Sequence, residues 1–135
     1  MKRGLAIAAV ALCAASIPAA AHHSLASYIQ TRSEVLIGRV KEFSWTNPHT
    51  WLTIVVRGEG GTTSEWTFEG VSTANLIDAG FKKDTMMPGD PVSVVYNPRR
   101  DGKPGGMFFA VTLADGRSLK LGRYQRLKRG STRIE

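Results

Sequence analysis

Residues 65–81 read Glu65-Trp66-Thr67-Phe68-Glu69-Gly70-Val71-Ser72-Thr73-Ala74-Asn75-Leu76-Ile77-Asp78-Ala79-Gly80-Phe81, and the hydrophobic period changes partway through. The first five positions alternate polar and apolar, so Trp66 and Phe68 share one face of a strand with a single buried side. From Ser72 onward the pattern becomes helical. Ser72 or Thr73 supplies a capping oxygen, Leu76 and Ile77 supply apolar contacts, and Gly80 closes the helix in the left-handed conformation while Phe81 packs back on it. The helix is about two turns long.

Upstream, residues 34–45 and 50–57 are rich in β-branched and aromatic side chains, and Asn47-Pro48 between them is a turn signal, which predicts a hairpin. Residues 58–63 form a glycine-rich reversal into the strand at 65–69. Downstream, Pro88-Gly89-Asp90 marks a tight turn, and Pro91 can begin but not continue a central strand, so residues 92–96 form the fourth. A loop at 97–106 leads to a fifth strand at 106–113, with Met107, Phe109, Val111 and Leu113 expected on one face. Asp115-Gly116 then turns the chain into residues 118–121. Three strands, a short helix and two or three strands predict an all-β fold with one short helix. The order is that of an OB-fold-like small, partly open barrel of five to six strands. A different small barrel or a sandwich is the alternative.

Lys2 and Arg3, the apolar run 5–17 and Ala19-Ala20-Ala21 have the order of an export signal, which is too short for a membrane anchor. Cleavage after Ala21 puts small residues at both selected positions and makes His22 the first mature residue. The expected organisation is a signal peptide at 1–21, an arm at 22–33, a barrel domain at 34–121 and a basic tail at 122–135. A periplasmic or secreted location follows. The one cysteine, Cys13, falls inside the signal, so the mature chain has no disulfide, no thiolate metal site and no cysteine nucleophile.

The formal charge of +7 is uneven. Lys2 and Arg3 leave with the signal. Six basic residues against Glu135 give positions 120–135 a charge of +5, and positions 22–119 carry zero. Such a tail suits an anionic surface or an envelope partner, with a solvated, solubilising end as the ordinary alternative. Export argues against nucleic acid as the ligand.

The chemistry-bearing residues are histidines. An amine and imidazole at His22, joined by His23 and by His49 from the hairpin tip, form a nitrogen donor set suited to copper. Cleavage one residue earlier would put a histidine third, which also chelates Cu(II) in a square plane. The ordinary reading of His22 and His23 is a frayed polar end, and that of His49 is a solvated loop residue. Trp45 and Trp51 bracket the tip so that they could pair across it; they are candidates for shielding a metal or stacking on a flat ligand, with closing the end of the core as the ordinary reading. Arg99 and Arg100 are candidates for gripping an anionic ligand in a metal-free binding module. The methionines offer thioethers to Cu(I) but serve more commonly as adaptable packing.

Catalytic patterns are absent from the sequence: it holds no Gly-x-Ser-x-Gly elbow, no phosphate loop and no His-Glu-x-x-His. Glu65 and Glu69 would share a strand face about 13 Å apart, beyond the roughly 5–9.5 Å of paired glycosidase carboxylates. The chain reads as a binding protein, not an enzyme.

Three segments, Ala21-His22-His23-Ser24, Trp45-Thr46-Asn47-Pro48-His49 and Trp66-Thr67-Phe68-Glu69-Gly70, together resemble a family of small exported bacterial proteins of unknown function with an OB-fold-like plan. The likeness runs to Leu121 and implies fold and export but no activity. The segment Leu25-Ala26-Ser27-Tyr28 lacks the acidic residues often found there in that family, and the basic tail is an addition to it.

Overall fold

The computed structural model describes residues 25–122, in which six strands and one short α-helix follow one another. The first strand, β1 (Glu34–Ser44), is long because it serves two neighbours. Its first half pairs antiparallel with β4 (Pro91–Pro98), from Glu34↔Tyr96 to Arg39↔Pro91. Its second half pairs with β2 (Trp51–Arg57), from Arg39↔Val55 to Ser44↔Trp51, with an irregularity between Val40 and Glu42 that bends it from one partner to the other.

β2 pairs along its whole length with β3 (Thr63–Glu69), and β4 pairs with β5 (Gly105–Thr112). The barrel closes where β3 meets β5 in parallel, at Thr67↔Gly105, Phe68↔Gly106 and Glu69↔Met107. Closure depends on Gly105: its φ is +137°, and a Cβ there would collide with the Thr67 carbonyl. A sixth strand, β6 (Ser118–Lys120), adds to β5 after the turn at Asp115 and Gly116. This is a closed five-strand barrel with one extra strand, in the OB-type order read from the sequence.

The helix α1 (Thr73–Asp78) stands between β3 and β4, capped by Ser72, whose side chain accepts from the Asn75 N–H. Gly80 has φ +89° and the Phe81 N–H returns to the Leu76 carbonyl at 2.9 Å, the closure expected of this pair. Leu76 and Phe81 are buried in the main core while Ile77 is exposed, so the helix presents one side chain of that pair to the barrel. Phe68 meets Tyr96 edge-on at 4.9 Å in the same core. Asn47 Oδ1 accepts from both the N–H and the hydroxyl of Thr73, each at 3.0 Å, which ties the β1–β2 tip to the start of the helix.

Two expectations need correction. Residues 107, 109, 111 and 113 do not share one face of β5. Val95 pairs with Ala110 and Tyr96 with Phe108, so Phe109 is an extra residue that flips the alternation. Phe108, Val111 and Leu113 therefore enter the main core, whereas Met107 and Phe109 pack on the other side with Tyr28. Trp45 and Trp51 also fail to pair. The register puts Trp51 opposite Ser44, and the Trp45 ring lies edge-on to Phe43 at 5.6 Å.

Candidate functional site

Beyond the last register pair of β2 and β3, Trp51↔Glu69, the ladder continues through Thr50, which is fully buried. Its N–H and hydroxyl both donate to the Val71 carbonyl, at 3.1 and 2.9 Å, and its own carbonyl accepts from the Gly70 N–H at 2.8 Å. A Cβ on Gly70 would lie 2.6 Å from Phe108 Cε1 and closer still to the Thr50 hydroxyl, so a glycine is required for this approach. The result is a rigid seat for the neighbouring His49. Thr46 fixes it further by donating to the His49 carbonyl at 2.8 Å.

His49 Nδ1 lies 2.9 Å from Glu69 Oε1 and 3.1 Å from the Gly70 carbonyl oxygen. The other oxygen of Glu69 accepts from the Tyr28 hydroxyl at 2.5 Å. The Glu69 side chain is 8% exposed and that of His49 33%, so a buried carboxylate links a buried phenol to a half-buried imidazole. Burial, then the hydrogen bond to Glu69, then the charge of that carboxylate hold the Tyr28 phenol well above its ordinary range. Tyr28 is therefore a proton donor to Glu69 throughout the neutral range.

The arm that carries Tyr28 is docked along residues 98–100. The Ile29 N–H donates to the Pro98 carbonyl and the Arg100 N–H to the Ser27 carbonyl, both at 2.9 Å, and Tyr28 bridges to Arg99. The Arg100 side chain donates to the Ala26 carbonyl at 2.9 Å. Arg99 forks onto Asp101 at 2.9 and 2.7 Å, and that hydrogen bond is the leading cause holding the Asp101 carboxyl well below its usual range. Behind the ring, Met107 and Phe109 complete a small apolar cluster.

The sequence candidates thus divide. His49 stands at the site, and Trp51 lies on its flank as the register partner of Glu69, 39% exposed. Trp45 is half-buried against the main core. Arg99 and Arg100 serve the arm's seat. His22, His23 and the tail beyond Gly122 lie outside the described residues. Among the described residues, no cluster of three or more His, Cys, Asp or Glu side chains could hold a metal, and no helix is long and apolar enough to cross a membrane.

Sequence reasoning missed Glu69 and Tyr28. The sequence sets Glu69 beside Glu65 on one strand face, but Glu65 accepts from Lys41 at 2.6 Å on the exposed side of the sheet. The usable signal was the register: pairing 51–57 with 63–69 puts Glu69 beside Trp51, two residues from His49.

Fold and site define the class: a small OB-type barrel whose amino-terminal arm is bonded to the end of β3 through Tyr28 and Glu69. Residues 9–109 match the model of DUF6152, a family of unknown function, and the chain belongs to that family. Membership in a family without an assigned activity is what the three sequence segments implied. A mitochondrial single-stranded DNA binding protein from S. cerevisiae, Rim1, is similar at 18% identity over 67% of this chain and 97% of its own, with a TM-score of 0.47. No curated protein matches the chain.

Proposed function

We propose that this is an exported binding protein that holds copper through its mature amino terminus, with the amine and imidazole of His22, the imidazole of His23 and that of His49 as ligands. One observation carries the proposal. Tyr28, at the root of the arm, is bonded to Glu69, and the same carboxylate is bonded to His49. The arm is thereby anchored at the barrel's one histidine among the described residues. His22 lies six residues before Tyr28, a span of at most about 20 Å of extended chain. Closing a loop that short costs little entropy, because its far end is already fixed.

The donor chemistry favours copper over other divalent ions. An all-nitrogen set of amine and imidazoles without thiolate suits Cu(II), which also stands highest in the general affinity order for such ligands. The metal-free alternative, an anionic ligand gripped by Arg99 and Arg100, draws no support from those side chains, since Arg99 is paired with Asp101 and Arg100 donates to the Ala26 carbonyl of the arm.

The test is the mass of the exported protein followed by a Cu(II) titration of three forms: wild type, a form with one extra residue before His22, and His49→Ala. The expected result is a mass corresponding to cleavage before His22, one tight equivalent in wild type, loss of binding on extension and weaker binding in His49→Ala. Equal, weak binding by all three would overturn the proposal.

A further inference from the structure

An imidazole can ligate through either ring nitrogen, and at His49 one of them is already committed. Nδ1 faces two groups, Glu69 Oε1 and the Gly70 carbonyl oxygen. Both are acceptors, so Nδ1 carries the hydrogen, and the lone pair of the neutral ring lies on Nε2. We infer that Glu69 is a positioning residue: its carboxylate fixes the Nδ1–H tautomer and the ring plane of His49, so that His49 meets a metal through Nε2. This rests on the copper reading above and deepens it.

Glu69 suits this role better than that of a direct ligand. Oε1 is occupied by His49 and Oε2 by Tyr28, and the side chain is almost wholly enclosed. Ligation by either oxygen would break a short hydrogen bond inside a buried network and leave a buried polar group without its partner, which is costly. A carboxylate bonded to the distal nitrogen of a ligating histidine orients the ring and raises its basicity.

The same carboxylate also receives the Tyr28 phenol, and this gives it a second task. Tyr28 fixes the root of the arm and Glu69 fixes the ring, so one carboxylate holds both the arm's root and His49. Arm docking and His49 orientation are therefore coupled, and a change at Glu69 loosens both. A change of Tyr28 to Phe keeps the ring packing against Met107 and Phe109 and loosens the arm alone.

Two readouts test this, using the chain beginning at His22 and Cu(II) as the probe. Nitrogen-15 NMR of the metal-free protein reports the His49 tautomer at mildly alkaline pH. Pulsed EPR of the Cu(II) form reports the non-ligating ring nitrogen, whose quadrupole coupling senses the hydrogen bond it makes. Wild type should give the Nδ1–H tautomer and a remote-nitrogen signal. Glu69→Ala should give mixed tautomers, an altered remote-nitrogen coupling and an affinity roughly 10–100-fold weaker.

Glu69→Gln keeps an acceptor oxygen, so it should retain the tautomer and recover part of the affinity, and it serves if the alanine variant does not fold. Tyr28→Phe should keep the tautomer while binding Cu(II) more weakly. An Nε2–H tautomer in wild type, or wild-type affinity and EPR in folded Glu69→Ala, overturns this inference and leaves the copper reading standing. Absence of tight Cu(II) binding in wild type overturns both.

Discussion

β5 has an apolar cluster on each side, and the two are built on different physical terms. Inside the barrel, Phe108 and Val111 join Phe68, Tyr96, Leu52 and Leu76, contributed by strands and helix far apart in sequence. Outside, Met107 and Phe109 cover a single tyrosine from the arm. The inner cluster is closed by the barrel's strands together with Leu76 of the helix and Phe81, Met86 and Leu121 of the connecting segments. The outer one is completed by a segment that must come back to it, and polar bonds from Tyr28 to Glu69 and from residues 98–100 to the arm decide where that segment lies. Hydrophobic burial is non-directional and makes the fold, whereas the hydrogen bonds are directional and make the site.

The largest way to break this contrast is on the inside. Phe68→Ala or Phe108→Ala should cost about 3–5 kcal/mol, read by urea denaturation, because each ring is fully buried and its removal leaves a cavity in the core. A loss no greater than that of an arm variant would erase the distinction between the clusters.

On the outside, Tyr28→Phe removes one hydrogen bond to a carboxylate and keeps the ring. Its expected cost is about 1.5–3 kcal/mol, accompanied by faster hydrogen exchange at Ile29 and Arg100, whose N–H groups are bonded across the arm's seat. Unchanged exchange at those two amides would mean that the phenol does not hold the arm.

A third effect is confined to alkaline pH. Burial, the hydrogen bond to Glu34 and that residue's charge push the Tyr96 phenol up to about 12. The native state therefore keeps this proton longer than the unfolded chain, whose phenols titrate near 10. The associated stability is whole below about pH 10 and is lost as pH rises towards 12. Tyr28 shifts in the same direction. Denaturation midpoints measured across that window should fall, and Tyr96→Phe should flatten the fall; an equal slope in the variant would contradict the assignment.

The smallest effect belongs to the sheet's exposed charges. Lys41 and Glu65 meet at 2.6 Å with both side chains more than half exposed, so Lys41→Ala should change stability by no more than about 1 kcal/mol. A larger loss would show that the outer surface of β1 and β3 contributes more than screening by water allows.

The order of strands and helix was legible because it is written in local signals: alternation at 65–69, the Ser72 cap, the Gly80 stop and the turns at Gly89 and Gly116. The face assignment of β5 was not, because a single extra residue at Phe109 reverses the alternation and no local residue type announces it. His49 was legible as a donor. Its partners were not, since Glu69 stands 20 positions away and Tyr28 a further 41 from Glu69 in the other direction. Only the β2–β3 register and the docked arm bring the three together. The tip was misread for a related reason. Trp45 and Trp51 flank it symmetrically in sequence, but the register pairs Trp51 with Ser44 and frees it to stand beside Glu69.

The most direct test of the arm-and-barrel site is the pattern of paramagnetic broadening when one equivalent of Cu(II) is added to the amide NMR spectrum of the chain beginning at His22. The account predicts that the signals of His49, Glu69, Gly70 and Tyr28 are lost together at substoichiometric metal, while those of the β5–β6 turn at Asp115 and Gly116 persist. Broadening limited to the first residues of the arm, with His49 and Glu69 untouched, would contradict it.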